Sequence, residues 1–291
     1  METRSVQLPF ARSTNSEQRR SPKSRPVTAS QAIELVERHH SEAFAAERVV
    51  PGVEVHEDRD ITWVVHDGNA WRNAGIMVRL SAASAARRLD TVLARYKKHR
   101  RGMAMWVSPL ATPTNLPDLL AARRLRCRKH FPAMLRVLNQ RLSRLSRVVG
   151  LQIRSVIDMN DFLDTAYPAI GPLTTPLRHQ AFARLQALLS EPSGRTRLAV
   201  AWLDGAPVGA IESFVGAEAA VVYGLSVLGE FQGQGIGSAL LEHACADARQ
   251  SRMRTMVLLA TTEGQRVYLR RGFTEVARFG YWYRSFQRDS R

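Results

Sequence analysis

The sequence predicts an α/β fold of the α+β kind, with a mixed central sheet flanked by helices and built as two similar halves. Three observations lead there. Residues 219–250 read as an apolar strand that breaks into a glycine-rich loop and then starts an amphipathic helix. Ahead of them, residues 197–203 and 206–215 read as a β-hairpin about Asp204-Gly205, a strong turn signal. The order strand, helix, strand, helix, strand also runs through residues 61–138 and parallels the C-terminal half.

The elements follow from spacing and punctuation. Residues 1–28, rich in Arg, Ser and Pro with almost no apolar periodicity, are expected to be a disordered basic tail. The fold should begin near Ala29 with a helix over 30–47, carrying Ala32, Ile33, Val36 and the alanines near 43–46, and Pro51 lies beyond it. Two β-rich runs come next, 61–66 and 74–80, separated by the turn-like Asp67-Gly68-Asn69. Ser81 is placed to cap a helix whose Ala85, Leu89, Val92, Leu93 and Tyr96 share one face. A strand at 103–107, a helix at 116–125 and a strand at 131–138 complete a half spanning 29–139. Residues 140–150 read as a linker, and 151–291 as the second half. That half opens with a strand at 151–157 and a helical region interrupted by Gly171, Pro172 and Pro176, which resumes through Phe182, Leu185 and Leu189. The strand at 219–227 then completes the meander.

Composition narrows the class. At 291 residues the chain is long enough for two domains of ordinary size. Two cysteines, Cys127 and Cys245, make no disulfide framework and fit a reducing compartment. No apolar run approaches the roughly 18 residues of a membrane helix, so a cytoplasmic protein without a membrane partner is expected. The charge is uneven. Between residues 87 and 147, sixteen Lys and Arg face only Asp90 and Asp118, so this segment carries +14 of the chain's +16. Such a field attracts anions, nucleic acid included, although no RNA- or DNA-binding signature accompanies it and a solvated basic surface explains it as well.

The glycine-rich stretch carries the chemistry. Its helix presents Ile236, Leu240, Leu241, Ala244, Cys245 and Ala248 along one face and Glu242, His243, Asp247 and Arg249 on the other. A helix that starts from glycines leaves backbone N–H groups unpaired at the positive end of its dipole, which is an anion site. No Lys-Ser or Lys-Thr follows the glycines, so this is not a P-loop. The spacing Gly233, Gly235, Gly237 also misses the dinucleotide pattern GxGxxG.

What it matches is Gln-x-x-Gly-x-Gly, here Gln232, Gly235 and Gly237, directly after Leu225-Ser226-Val227. This resembles the pyrophosphate loop of the GNAT superfamily of N-acetyltransferases. About thirty residues on, Tyr268-Leu-Arg-Arg-Gly272-Phe273 resembles that family's Tyr-x-x-x-Gly-Phe signature. The resemblance covers 151–291 and implies the GNAT fold, with the N-terminal half a degenerate second copy in tandem. Where that copy's loop should lie stands Arg79-Leu-Ser-Ala-Ala-Ser-Ala-Ala, without one glycine, so one active site is expected and not two.

The resemblance implies an acyltransferase that takes acetyl-CoA as donor, without a metal, and a primary amine, most simply of a small molecule, as acceptor. The backbone of Leu225 and Val227, flanking Ser226, would pair with the pantetheine arm. The N–H groups of Gly233, Gln234, Gly235, Ile236, Gly237 and Ser238, after Gln232, would hold the pyrophosphate. Tyr268 falls where the family places its general acid. Many relatives carry a carboxylate on the central strand, whereas Val221, Val222, Tyr223 and Gly224 offer none. Glu212 on the preceding strand is the candidate base through water, ahead of Glu218 and His179. Thr261 and Thr262 stand where an Asn is common, leaving Thr261 as the cofactor contact there. Two other classes stay open: a non-catalytic acyl-CoA sensor, and an RNA-associated acetylase or binding module that uses the basic half.

Overall fold

The structure, a computed structural model, describes residues 28–66, 73–138, 148–167 and 175–286. The basic tail apart from Thr28, the turn at 67–69, most of the linker, and Gly171 and Pro172 lie outside these residues. Thr28 closes a capping box with Gln31 at the start of helix α1, Ala29–Ala46. A 3₁₀ turn at Glu47–Val49 follows, then strand β1, Val53–Glu57, which the sequence reading passed over. Strands β2, Thr62–His66, and β3, Ala74–Ile76, lead to helix α2, Ala85–Lys98. Strand β4, Met103–Val107, helix α3, Leu116–Ala122, and strand β5, Arg126–Val137, finish the N-terminal half. The C-terminal half has β6, Gln152–Ser155; α4, Met159–Ala166; α5, Thr175–Leu189; β7, Thr196–Leu203; β8, Ala206–Val215; and β9, Ala220–Val227. It closes with α6, Ile236–Gln250; β10, Thr255–Leu259; α7, Gln265–Arg270; and β11, Thr274–Arg284.

All eleven strands form one sheet, in the order β1-β2-β3-β4-β11-β5-β10-β9-β8-β7-β6. The halves exchange strands. β5 lies between β10 and β11 of the C-terminal half, and β11 lies between β4 and β5 of the N-terminal half, all antiparallel. Helices α2, α3, α6 and α7 cover one face and α1, α4 and α5 the other, because successive strand residues point to opposite faces. The apolar stripe of α6 packs on Val208, Ile211, Ala220 and Val222, as its spacing predicts.

Three differences from the sequence reading have local causes. The run 74–80 is a strand only through Ile76, because Met77 turns to a φ of 56°. The helix begun at Leu116 ends at Ala122, with Arg124 at a φ of 63°, so β5 starts at Arg126 and is longer than the 131–138 expected. Ser81 does not cap α2 from the N-cap position, which belongs to Ser84, although its hydroxyl accepts from the Ser84 N–H at 3.3 Å.

A buried ion cluster ties β5 to the C-terminal half. Arg136, 1% exposed, donates to Glu242 of α6 at 2.6 Å, and Arg271 donates to the same carboxylate at 3.1 Å. Both cysteines are free thiols.

Candidate active site

Strands β9 and β10 run parallel, but their pairing covers only Ala220, Val221 and Val222. Beyond Val222 the two part. β9 stays on β8 through Val227, with a bulge at Tyr223 where the partners step from Glu212–Gly224 to Ser213–Val222. The Leu228 N–H bonds the Val208 carbonyl at 3.0 Å. By strand alternation the backbone polar groups of Leu225 and Val227 therefore face the gap and not β8.

The glycine loop closes one end of that gap. Gly233 and Gly235 have φ of 78° and 88°, the left-handed region that a Cβ disfavours. Gly235 is the N-cap of α6 and supplies no side-chain cap. The first bond of the helix is Ala239 N–H to the Gly235 carbonyl, at 3.0 Å. The N–H groups of Gly233, Gln234, Gly235, Ile236, Gly237 and Ser238 thus have no acceptor among the described residues, a longer run than the four a helix start ordinarily leaves. Gln232 braces the loop, its side-chain amide donating to the Val227 carbonyl at 3.0 Å. Free donors at the positive end of a fifteen-residue helix suit a phosphate-bearing ligand.

On the other side of the gap, the Thr261 hydroxyl accepts from the Gly264 N–H at 3.0 Å and so shapes the turn into α7. That turn delivers Tyr268. Its ring is 8% exposed and packs edge-on against Phe273, centroids 5.7 Å apart. Its hydroxyl has no hydrogen-bond partner among the described residues, and burial pushes the phenol up to about 12. A phenol so held stays protonated and has a proton to give.

Glu212 sits on the face opposite α6, beside Gly224, and is 7% exposed. Its Oε1 accepts from Arg184 Nη2 at 3.0 Å. Arg184, 4% exposed, also grips Glu47, with its Nε 2.9 Å from Oε1 and 3.0 Å from Oε2. Glu212 is therefore part of a buried ion cluster that joins α5 and β8 to the turn after α1. The Ser226 hydroxyl donates to the Thr165 carbonyl at 2.6 Å, tying β9 to α4. His40 and Tyr223 meet on the same face, where the Tyr223 hydroxyl donates to the His40 carbonyl at 3.2 Å. No spacing signal pointed to Arg184 or Glu47, because their partners lie 28 and 137 residues away from Arg184.

The corresponding gap in the N-terminal half is closed. β3 and β4 are also parallel, paired at Ala74 and Gly75. Past them, Thr112 donates its N–H to the Val78 carbonyl at 3.1 Å and accepts from the Leu80 N–H at 3.2 Å. The edge that Leu225 and Val227 leave open is here taken up by the chain itself. A cavity of about 410 Å³ between α1 and α5 lies elsewhere: its Phe214 pairs with Val221, at the far end of β8 from Gly209 and the loop.

A family model described as an acetyltransferase (GNAT) domain matches residues 194–275. Those residues are a GNAT domain. The solved structures agree on the fold. A GCN5-related N-acetyltransferase from Kribbella flavida superposes with a TM-score of 0.62 at 15% identity, covering 87% of this chain and 95% of that one. A tandem GNAT protein from the clavulanic acid biosynthesis pathway superposes at 0.59 and 14% identity, covering 90% and 96%. A third, from Sphaerobacter thermophilus, gives 0.54 at 16% identity, covering 90% and 94%. A search of curated proteins returns no match. The GNAT domain holds the loop, the gap and Tyr268, and the remaining strands extend its sheet into an arrangement that a tandem GNAT protein shares. Among the described residues no group of three or more His, Cys, Asp or Glu is placed to hold a metal ion, and no helix is long and apolar enough to cross a membrane.

Proposed function

We propose that this protein transfers the acetyl group of acetyl-CoA to a primary amine, most simply that of a small molecule. One observation carries the reading: six free N–H groups at the start of α6 lie beside the open backbone edge of β9, with the Tyr268 phenol across the gap. The loop holds the pyrophosphate. Leu225 and Val227 bond the pantetheine arm and orient the thioester carbonyl, whose oxygen gains negative charge when the amine nitrogen attacks. As the new C–N bond forms and the C–S bond breaks, the Tyr268 hydroxyl gives its proton to the departing thiolate. The amine loses its proton to water on the face where Glu212 lies, and the Arg184 pair sets the field there.

The acceptor enters from the face of α1, α4 and α5, opposite the loop. Calorimetry on the full chain is expected to show acetyl-CoA binding that Gly235→Asp abolishes, since that change puts a carboxylate and a Cβ into the anion cradle. Unchanged affinity in the variant would sink the reading. The commitment of Glu212 to Arg184 favours one other reading, an acyl-CoA sensor without turnover, and steady thiol release across a panel of amines excludes it.

A further inference from the structure

The starts of β4 and β5 flank the end of β11, and there the cations of the N-terminal half collect. Arg284 pairs with Met103, and Tyr283 pairs with both Ala104 and Arg126. The turn from α2 to β4, with Lys97, Lys98 and Arg100, therefore sits beside the turn from α3 to β5, with Arg124 and Arg126. These five and Lys129 are exposed, and among the described residues none is within 4.0 Å of a carboxylate, although the Lys129 charge reaches Glu263. Crowding is visible at Arg284, whose guanidinium is pushed below its ordinary value by burial and then by the Arg124 charge.

Two of these arginines stand where the backbone opposes them. Arg100 and Arg124 have φ of 52° and 63° just past the ends of α2 and α3, positions that glycine ordinarily takes because a Cβ is strained there. The adjoining face is aromatic. The rings of Tyr281 and Tyr283 lie within 8° of parallel, centroids 6.4 Å apart, and Trp106 packs 4.8 Å from Tyr281. All three are partly exposed. Lys129 lies opposite Tyr281 and Arg126 opposite Tyr283, so these cations share a face with the rings.

We propose that this cationic, aromatic end of the sheet binds a single-stranded nucleic acid, with phosphates on the arginines and bases against Tyr281 and Tyr283. Cations tracking a backbone beside flat rings are what such a strand requires, whereas an acidic peptide makes no use of the rings. The surface is separate from the glycine loop and does not depend on the acetyl-transfer reading.

The test is anisotropy of a fluorescein-labelled oligouridylate of about 16 nucleotides with the full chain across a salt series. The Arg100→Gly, Arg124→Gly double variant is expected to bind about tenfold more weakly and to lower the log–log salt slope by about 1.4, while its Tm stays or rises. Tyr281→Leu is expected to weaken binding about fivefold or more at unchanged slope. Arg252, with φ of 63° after α6, stands at the opposite end of the sheet, and Arg252→Gly should leave affinity unchanged. Parent-level affinity in the double variant, an equal loss in Arg252→Gly, or a lower Tm in the double variant would each overturn the proposal. A polyglutamate peptide that binds as tightly as the oligouridylate and is indifferent to Tyr281→Leu would make the surface one for acidic proteins, and would overturn it too.

Discussion

Tyr268 and Gly235 bear opposite kinds of constraint. Tyr268 is buried, so its phenol titrates near 12 and stays a donor through the physiological range. Tyr268→Phe is expected to lower kcat by about 10²-fold or more while leaving the acetyl-CoA Kd at the parent value, which steady-state kinetics beside calorimetry will check. Because the folded phenol holds its proton more tightly than the unfolded one, its contribution to stability is complete below about pH 10 and is lost as pH rises from there through about 12. A kcat profile should therefore show no alkaline fall due to Tyr268 at or below pH 10. Gly235 is constrained by backbone instead. Gly235→Ala places a Cβ at a φ of 88°, which is expected to cost about 1–2 kcal/mol in urea unfolding and to weaken acetyl-CoA binding as well. Both positions were legible in the sequence, since glycine spacing and a Tyr-x-x-x-Gly-Phe run are local patterns. The Arg184 pair with Glu212 and Glu47 was not, because it is assembled from an α5 side chain, a β8 carboxylate and a turn 137 residues earlier.

At the level of elements, β9 with α6 follows directly from sequence, because an apolar run, a glycine loop and a three-four apolar stripe are each encoded within a few residues. β5 and β11 are different. Their alternation identifies strands, but their partners come from the other half, and nothing local in 126–137 says that β10 and β11 will flank it. The Arg136 cluster shows what fixes the choice: a guanidinium on β5 whose ion-pair partner among the described residues is Glu242 of α6. Arg136→Met is expected to destabilise the chain by about 3 kcal/mol, read by urea denaturation, since it leaves Glu242 with Arg271 alone. Burial would raise the Glu242 carboxyl, but Arg136 and Arg271 more than offset it and hold it below its usual value. That contribution is present above the unfolded carboxylate range near pH 4 and is lost as pH falls through the lower folded value. Acid unfolding of the parent should therefore be steeper than that of Arg136→Met.

For the whole molecule, the closure of the N-terminal gap by Thr112 predicts a stoichiometry. Calorimetry should count one acetyl-CoA per chain, and Gly235→Asp should take that count to zero and uncover no second site. The absence of glycine in 79–86 suggested the same outcome from sequence, but the physical cause, Val78 and Leu80 already bonded to Thr112, required the fold. The strand exchange also bears on how the chain is made. β11, residues 274–284, completes the sheet between β4 and β5, so the first half lacks a strand until residues 274–284 have been made. Its nascent β4 and β5 edges must wait, exposed, for more than a hundred residues of synthesis, a state prone to aggregation and dependent on contacts distant in sequence. Ribosome-bound chains stalled before Thr274 should be cut readily by protease within β5, and full-length chains should resist.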